Sequence, residues 1–423
     1  RREFLGRTAG TAAGVFIAGA AGRAAGANEK IGAAVIGVRG QGGSLLHGFA
    51  AQKDVEITHV CDIDRSVRER RGAEVEEKTG RRPKLINNYE DVLDDPSVDV
   101  LVVGTPDHWH AIPTIRGCLA KKDVYVEKPD GHNILEGKAM VAAARKHGRI
   151  VQLGTQTRSA PHMAEAVKYV QSGALGKVIF ARAWETARQG AVARRPDSEP
   201  PAGVDYDRWL GPAPERPFNP NRFHGSWRWF FDYGTGDLGN DGVHRLDYAR
   251  WALGVGWFDA VSCAGGKFFF DDAQEWPDTM QITYEYPGKV LVYEMRIWSR
   301  PRQEGLGEGA AVYGENGWVL LGNSDWKAFD ASGKLVRQGG GSDALAQHIR
   351  NFLDAVRSSR REDLHQEIAQ GHVSSVMCHA GNIAWRTGEK LRFDPKTETF
   401  DKKAANDLLG RAYRKGYELP KVE

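Results

Sequence analysis

The chain has 423 residues, with 58 Lys+Arg against 55 Asp+Glu for a formal net charge of +3, and 41% hydrophobic and 27% charged residues. That length fits one large domain or two, and the composition excludes a disordered, collagen-like or coiled-coil chain. The near-neutral balance removes the main argument for a polyanionic partner such as nucleic acid. Four cysteines, Cys61, Cys118, Cys263 and Cys378, stand far apart with no C-x-x-C among them, so they form neither a zinc ribbon nor a disulfide scaffold and are expected as buried thiols.

Arg1-Arg2-Glu3-Phe4-Leu5 opens the sequence, and 15 uncharged, Gly/Ala-rich residues separate Arg7 from Arg23. The run is shorter than the ~20 apolar residues of a membrane-spanning helix. It resembles a twin-arginine export signal with a small-residue cleavage point around Ala25-Gly26-Ala27. Residues 1–27 are therefore read as an address, and the working protein is expected in the periplasm or beyond. Without them the charges stand at 54 against 54. Twin-arginine export moves folded proteins, so a cofactor site is expected downstream.

Ile31 to Ile36 reads as a fully apolar strand running into Gly37-Val38-Arg39-Gly40-Gln41-Gly42-Gly43 and then a helix. Such a turn lets the backbone approach a pyrophosphate, whose charge rests on free N–H groups at the helix start. A second strand, Val55 to Cys61, ends at Asp62-Ile63-Asp64, about 20 residues beyond the glycines, where an acidic side chain accepts hydrogen bonds from a ribose. A carboxylate there repels a 2′-phosphate and favours NAD, whereas Arg39 and Arg65 keep NADP possible. Val98 to Val103 is apolar on both faces, as a central parallel strand should be, and it ends in Gly104-Thr105-Pro106-Asp107-His108-Trp109-His110. Val124-Tyr125-Val126 delivers Glu127-Lys128-Pro129 at its carboxyl end, where a doubly wound sheet binds its ligand.

The Gly-rich start, Thr105-Pro106-x-x-x-His110 and Glu127-Lys128-Pro129 together resemble the Gfo/Idh/MocA oxidoreductases, named for glucose-fructose oxidoreductase and inositol dehydrogenase. The resemblance runs from about Lys30 to near the C-terminus. It implies that Lys128 lies beside the nicotinamide and substrate, and that Thr105, Pro106, Trp109, His110 and Glu127 line the cofactor. Gly37, Arg39, Gly40, Gln41, Gly42, Asp62 and Ile63 belong to the same cofactor set, and Gln156, after the strand Ile150 to Gly154, would sit near the nicotinamide. Asp130 departs from the family, which has an apolar residue there; a carboxylate so near Lys128 would favour the ammonium if the side chains meet.

From Val178 onward the pattern becomes alternating strands with hairpin signals. Gln281–Tyr286 and Val290–Ile297 flank Pro287-Gly288-Lys289, the order a type II turn prefers. Gly309–Tyr313 and Trp318–Leu321 flank Glu315-Asn316-Gly317, and Trp326–Phe329 and Lys334–Val336 flank Ala331-Ser332-Gly333. Two late helices follow, one with Leu345, Ile349, Phe352, Leu353 and Val356 at helical spacing, the other from about Leu364 to Trp385. The fold class is thus α/β followed by α+β: a Rossmann domain over 30–155, then a domain over 156–423 with a large, mostly antiparallel open sheet. Seven of the 18 prolines fall between Pro196 and Pro220. A stretch this long inside a domain is usually functional, and Tyr206, Trp209, Phe218 and Phe223 argue against disorder.

Trp227-Arg228-Trp229 leads through Gly234 and Gly236 to Asp237-Leu238-Gly239-Asn240-Asp241-Gly242-Val243-His244, with 244, 247, 248 and 251 on one face of a helix starting near Asp241. In the resembling family an Asp stands four residues before this His and works with the lysine on the alcohol proton. Here Lys128 and His244 match, but Asn240 holds the aspartate position; an amide can orient an imidazole without stabilising its charge, and Asp241 or Asp247 could substitute. Oxidising an alcohol needs a base with a pKa near working pH, for which His is the natural candidate, and a held ammonium stabilises the developing alkoxide. Lys128, His244, Asn240 and Asp241 are the catalytic candidates. Arg158, Trp227, Arg228 and Asp247 are the substrate-binding candidates. No second cluster accompanies Asp237, Asp241, His244 and Asp247, and His365, His372 and His379 lie ~10 Å apart in rise on one helix, so no metal site is expected. Those histidines are read as a polar stripe, although the resemblance implies a helix near the substrate cleft, which His372 could reach.

The expectation is an exported NAD- or NADP-dependent oxidoreductase of a sugar, sugar derivative or polyol that retains its cofactor, because no free nicotinamide pool is expected outside the cytoplasm. Two alternatives remain: cleavage of a glycoside through a transient keto sugar, and a noncatalytic carbohydrate- or nucleotide-binding relative, which Asn240 suggests. Aromatic residues suit stacking on sugar faces, and the resemblance implies a homodimer or tetramer, which open-faced sheets in that family commonly form.

Overall fold

The computed structural model describes residues 30–186, 189–342 and 344–422. The twin-arginine segment, and with it the export expectation, lies outside them. Six short strands, β1 (Ile31–Ile36), β2 (Val55–Cys61), β3 (Lys84–Ile86), β4 (Val100–Val103), β5 (Asp123–Val126) and β6 (Val151–Leu153), pair in parallel in the order β3-β2-β1-β4-β5-β6. The chain order reverses between β1 and β4, which opens the crevice at their carboxyl ends where doubly wound sheets hold ligands. Helices α1 (Gln41–Ala50), α2 (Arg65–Thr79), α3 (Ala111–Leu119) and α4 (Ile134–Lys146) connect the strands, and α5 (Pro161–Gln171) follows β6. β1 and β4 are buried along their whole length, as the unbroken apolar runs require.

The second domain is a ten-stranded sheet with the order β14-β13-β12-β11-β7-β10-β9-β8-β15-β16. Its strands are β7 (Val178–Glu185), β8 (Ala260–Gly266), β9 (Thr279–Tyr286), β10 (Lys289–Arg296), β11 (Glu308–Gly314), β12 (Gly317–Leu321), β13 (Asp325–Asp330), β14 (Leu335–Gly340), β15 (Leu391–Asp394) and β16 (Thr399–Phe400). Neighbouring strands pair antiparallel except β7 with β10. The three expected hairpins are the pairs β9–β10, β11–β12 and β13–β14.

Between β7 and β8 the chain forms α6 (Tyr206–Leu210) and α7 (Val243–Leu253), and the C-terminal third adds α8 (Leu345–Ser358) and α9 (Ile368–Thr387). One face of the sheet is covered by α7 and α9, whose Val243, Leu246, Val376 and Met377 join Ile282, Tyr284 and Tyr293 in the main core. α8 turns the other way. Its Ile349, Phe352 and Leu353 pack with Phe49 and Tyr125 in the core of the first domain, so the end of the chain clasps the nucleotide-binding half. The helical stripe was readable, but its docking surface was not, because periodicity names a face and not its partner.

The proline-dense stretch is ordered against the first domain. Arg65 donates its N–H to the Gly203 carbonyl at 3.0 Å, Asp205 donates to that of Ile63 at 3.0 Å, and the Asn87 side chain donates to the Asp205 carboxylate at 2.7 Å. Trp209 packs on Tyr206, Phe223 and Tyr233, and the Trp109 indole N–H donates to the carbonyls of Arg208 and Trp209. The segment is a strap across the carboxyl end of β2. Among the described residues no helix is long and apolar enough to cross a membrane.

Candidate active site

A cleft of about 500 Å³ runs along the carboxyl edge of the first sheet, from Asp62 and Ile63 past Gly37, Arg39, Gly40 and Gln41 to Thr105, Pro106, Trp109, His110, Glu127 and Lys128. The second domain closes it with Arg208, His224, Trp227, Arg228 and Asn240. Most of the residues expected at the cofactor therefore share one surface. Gly42 supports this surface from below, and Gln156 starts a half-buried turn after β6 outside the residues that line the cleft.

The loop after β1 is built for close approach. Gly37 has φ +75°, and a Cβ on Gly42 would stand 1.6 Å from the Gly37 carbonyl oxygen, so helix and strand touch through bare backbone. Gly40 precedes α1 with open space above it; no side chain caps the helix and no acidic residue occupies its first turn. Amide donors and the positive end of the helix dipole thus face the cleft uncompensated. Asp62 accepts from the N–H of Val38 at 2.9 Å and that of Asp64 at 3.0 Å. Burial raises its pKa against those two donors. Gly42→Ala is expected to abolish dinucleotide binding, since the clash is with backbone that cannot yield; titration of purified variant with NAD by isothermal calorimetry checks it.

At the other end, Glu127 is almost fully buried and accepts from the Gln41 amide at 3.1 Å, bridging the loops after β1 and β5, and burial raises its pKa. His110 spans the carbonyls of Pro129 (2.6 Å) and Thr105 (2.9 Å), so it holds the two strand-end loops together. Lys128 extends across the domain boundary. Its Nζ donates to the Asn240 carbonyl at 2.6 Å and lies 3.3 Å from the Asn240 Oδ1. Asn240 sits in a π-helical turn, Leu238–Gly242, that precedes α7, so the helix begins at Val243 rather than at Asp241. Such turns leave backbone carbonyls free for other partners and recur at functional sites.

This geometry changes several expectations. The Asn240 amide nitrogen donates to Asp241 at 3.0 Å, and its oxygen faces Lys128, so the side chain does not orient His244. His244 has a buried Nδ1 without a hydrogen-bond partner, and burial, Lys128 and Arg245 push its pKa well below the ordinary value. It is a neutral imidazole and a weaker base than a histidine paired with a carboxylate. Asp241 serves Asn240 rather than His244, and burial beside Asp241 raises the pKa of the fully buried Asp237.

Asp247 is neither a substitute base nor open to substrate. It is buried and accepts two hydrogen bonds from Arg158, at 2.7 and 3.0 Å, one from Gln366 and one from Ser374. Arg158 is thereby consumed and also lies over the Trp251 ring at 4.6 Å. Of the four substrate candidates, Trp227 and Arg228 line the cleft, whereas Arg158 and Asp247 form an internal ion pair. Asp130 does not meet Lys128 either, because it bonds His372. The three histidines are no polar stripe on one helix: His365 precedes α9 and joins Ser159, and His372 and His379 on α9 are buried. Among the described residues no group of three or more His, Cys, Asp or Glu side chains is placed to hold a metal ion. Sequence reading missed Arg208 and His224, whose signal was only their place in an aromatic, proline-dense stretch.

A family model described as "Oxidoreductase family, NAD-binding Rossmann fold" matches residues 31–155, and its companion, "Oxidoreductase family, C-terminal alpha/beta domain", matches 161–291 and 339–419. The chain belongs to the Gfo/Idh/MocA oxidoreductase family. It is 28% identical over 177 residues to a levoglucosan dehydrogenase of Pseudarthrobacter phenanthrenivorans, a match covering 42% of this chain and 38% of that protein. It is also 34% identical over 103 residues to a scyllo-inositol 2-dehydrogenase (NAD(+)) of Bacillus subtilis, covering 24% and 30%. The matches thus span only 38% and 30% of these two curated relatives. Among solved structures, the aldose-aldose oxidoreductase of Caulobacter crescentus, crystallised with glycerol, superposes with a TM-score of 0.68 at 20% identity, over 86% of this chain and 100% of that one.

The uncapped helix, the touching backbones at Gly37 and Gly42 and the Asp62 carboxylate fit NAD. The pyrophosphate would rest on the loop from Gly37 to Gln41, the ribose at Asp62, and the nicotinamide toward Lys128. Arg39 stands in the same end of the cleft, which leaves NADP possible.

Proposed function

We propose that the protein is an NAD-dependent oxidoreductase that moves hydride to or from a carbon bearing a hydroxyl on a sugar, sugar derivative or polyol, and that it keeps its cofactor between turnovers. The observation that carries this reading is the Lys128 ammonium, fixed by Asn240 at the end of a cleft that begins at a ribose-binding carboxylate. When bound, NAD accepts or donates the hydride. Lys128 stabilises the developing alkoxide, and the neutral His244, which stands outside the cleft lining and whose buried Nδ1 has no hydrogen-bond partner, takes the hydroxyl proton through water. Trp227 and Arg228 offer a ring face and a guanidinium to a polyhydroxylated ligand. The names of the levoglucosan and inositol dehydrogenases support the substrate class.

The strap over 189–227 supports retention, since it is bonded to the segments that follow β2 and β3 at the ribose end. Retention agrees with export through the twin-arginine pathway, where the cofactor is loaded before translocation. A second copy of the chain covering the outer sheet face, where Phe180 meets Tyr313 and Trp318 stacks on Phe329, would complete an oligomer.

The test is an absorbance spectrum near 340 nm of the protein as purified, before and after a panel of aldoses, anhydrosugars and inositols. Bound dinucleotide that changes redox state on addition of one of them is expected. Protein that neither carries nor binds dinucleotide would refute the enzymatic reading, and stable binding without redox change would favour the noncatalytic one.

A further inference from the structure

The loop that carries Lys128 continues into a buried charged group that the proposed reaction does not use. Asp130, fully buried, accepts from the Gly131 N–H at 2.9 Å through one carboxylate oxygen and faces His372 Nδ1 at 2.5 Å through the other; its own N–H donates to the Ser375 hydroxyl at 3.1 Å. The second ring nitrogen of His372 lies 3.1 Å from the Glu398 carboxylate. A neutral imidazole has one N–H and can satisfy only one of two ionised carboxylates, so both contacts together call for an imidazolium.

Space has been left for this triad. A Cβ on Gly137, at the first turn of α4, would stand 2.2 Å from Asp130 Oδ2 and 2.3 Å from His372 Nδ1. Glycine there weakens the helix by about 1 kcal/mol relative to alanine. The three members come from three places in the chain: the β5–α4 loop, α9 and the turn between β15 and β16.

We propose that Asp130, His372 and Glu398 form an ionised clamp that positions the Lys128 ammonium by fixing the loop that bears it. The inference rests on the reading of Lys128 as the reactive lysine. Asp130 lies two residues from Lys128, and Pro129 between them is held by His110, so the backbone on the C-terminal side of Lys128 is anchored to α9 and to the loop after β4. None of the three lines the cleft, so these are positioning residues.

The groups facing His372 are few. Asp130 and Glu398 bond it, the Trp257 ring lies edge-on at 6.0 Å, and His379, two turns along α9, is kept neutral by burial. Burial alone would lower the His372 pKa; the two carboxylates outweigh it and raise the value to about 9. The folded value is above the unfolded one, so the clamp's contribution is complete below about pH 6.5 and is lost as pH rises through about 9.

The test is the acetylation rate of Lys128 in the full chain from pH 6 to 10, read by peptide mass spectrometry against Lys30 as an internal reference. In the native protein the normalised rate should rise roughly tenfold above pH 9 as the loop is released. In Asp130→Asn the raised rate should already be present at pH 7, and in Glu398→Gln, at the more accessible end of the triad, the rise should move to lower pH. Equal normalised rates in all three proteins across the range would overturn the proposal, leaving the triad a stability element only. If labelling behaves as expected while no sugar or polyol is turned over, the clamp stands and the dehydrogenase reading fails. Should turnover be found, its alkaline limb is expected to shift with the labelling profile in Glu398→Gln.

Discussion

Replacing Lys128 with alanine is expected to lower kcat by roughly 10²–10⁴, the range that removal of a charge-stabilising or proton-handling group produces, while bound dinucleotide remains. The separation of the two effects follows from geometry. The cofactor's proposed anchors, Asp62 and the uncapped start of α1, are at the far end of the cleft, and the lysine contacts Asn240 in the other domain. Lys128→Arg should rescue little, because a planar fork cannot occupy the position of a compact ammonium 2.6 Å from one carbonyl. Single-turnover absorbance at 340 nm, together with the dinucleotide content of the heat-denatured supernatant, checks both halves. Activity within tenfold of the parent would remove Lys128 from the chemistry. Loss of dinucleotide together with activity would show that it acts by holding the cofactor instead.

How far sequence reading carried depends on the range of the forces involved. Five of the six strands of the first domain were visible, the central ones because a doubly covered parallel strand must be apolar throughout, whereas the three-residue edge strand β3 was not; the three hairpins were visible because their turns need particular residues. The cleft was visible for a related reason: polar residues directly after apolar strands have one place to go. Partnerships across the chain were not visible. Asp247 stands one helical turn from His244 and looked available, yet its charge is taken by Arg158, 89 residues earlier in the chain. Asp130 looked poised to meet Lys128, two residues away, yet its partner is 242 residues distant. Asn240 kept its position but changed its role, since the π-helical turn directs it to the lysine rather than to the histidine. Local pattern specifies which side chains are brought to an edge, and long-range packing decides which charges are already spent there.

Asp247 therefore carries the second large effect, on stability rather than activity. Asp247→Ala would leave Arg158 and the nearby Arg250, both largely buried, facing no carboxylate, and would strand Gln366 and Ser374. Breaking one side of such a network costs about 3–5 kcal/mol, to be read as a lowered urea midpoint by tryptophan fluorescence. Burial would raise the Asp247 pKa, but Arg158, Arg250 and Ser374 hold it well below the carboxylate range. A depressed folded-state pKa contributes stability above the unfolded value of about 4 and loses it as pH falls, so the gap between parent and variant should narrow in acid. The double variant Arg158→Leu/Asp247→Leu should lose less than the sum of its single changes, because removing both charges leaves neither stranded. Strict additivity across that cycle would mean that the pair is not coupled, and the case for treating Arg158 and Asp247 as scaffold rather than as substrate ligands would fail with it.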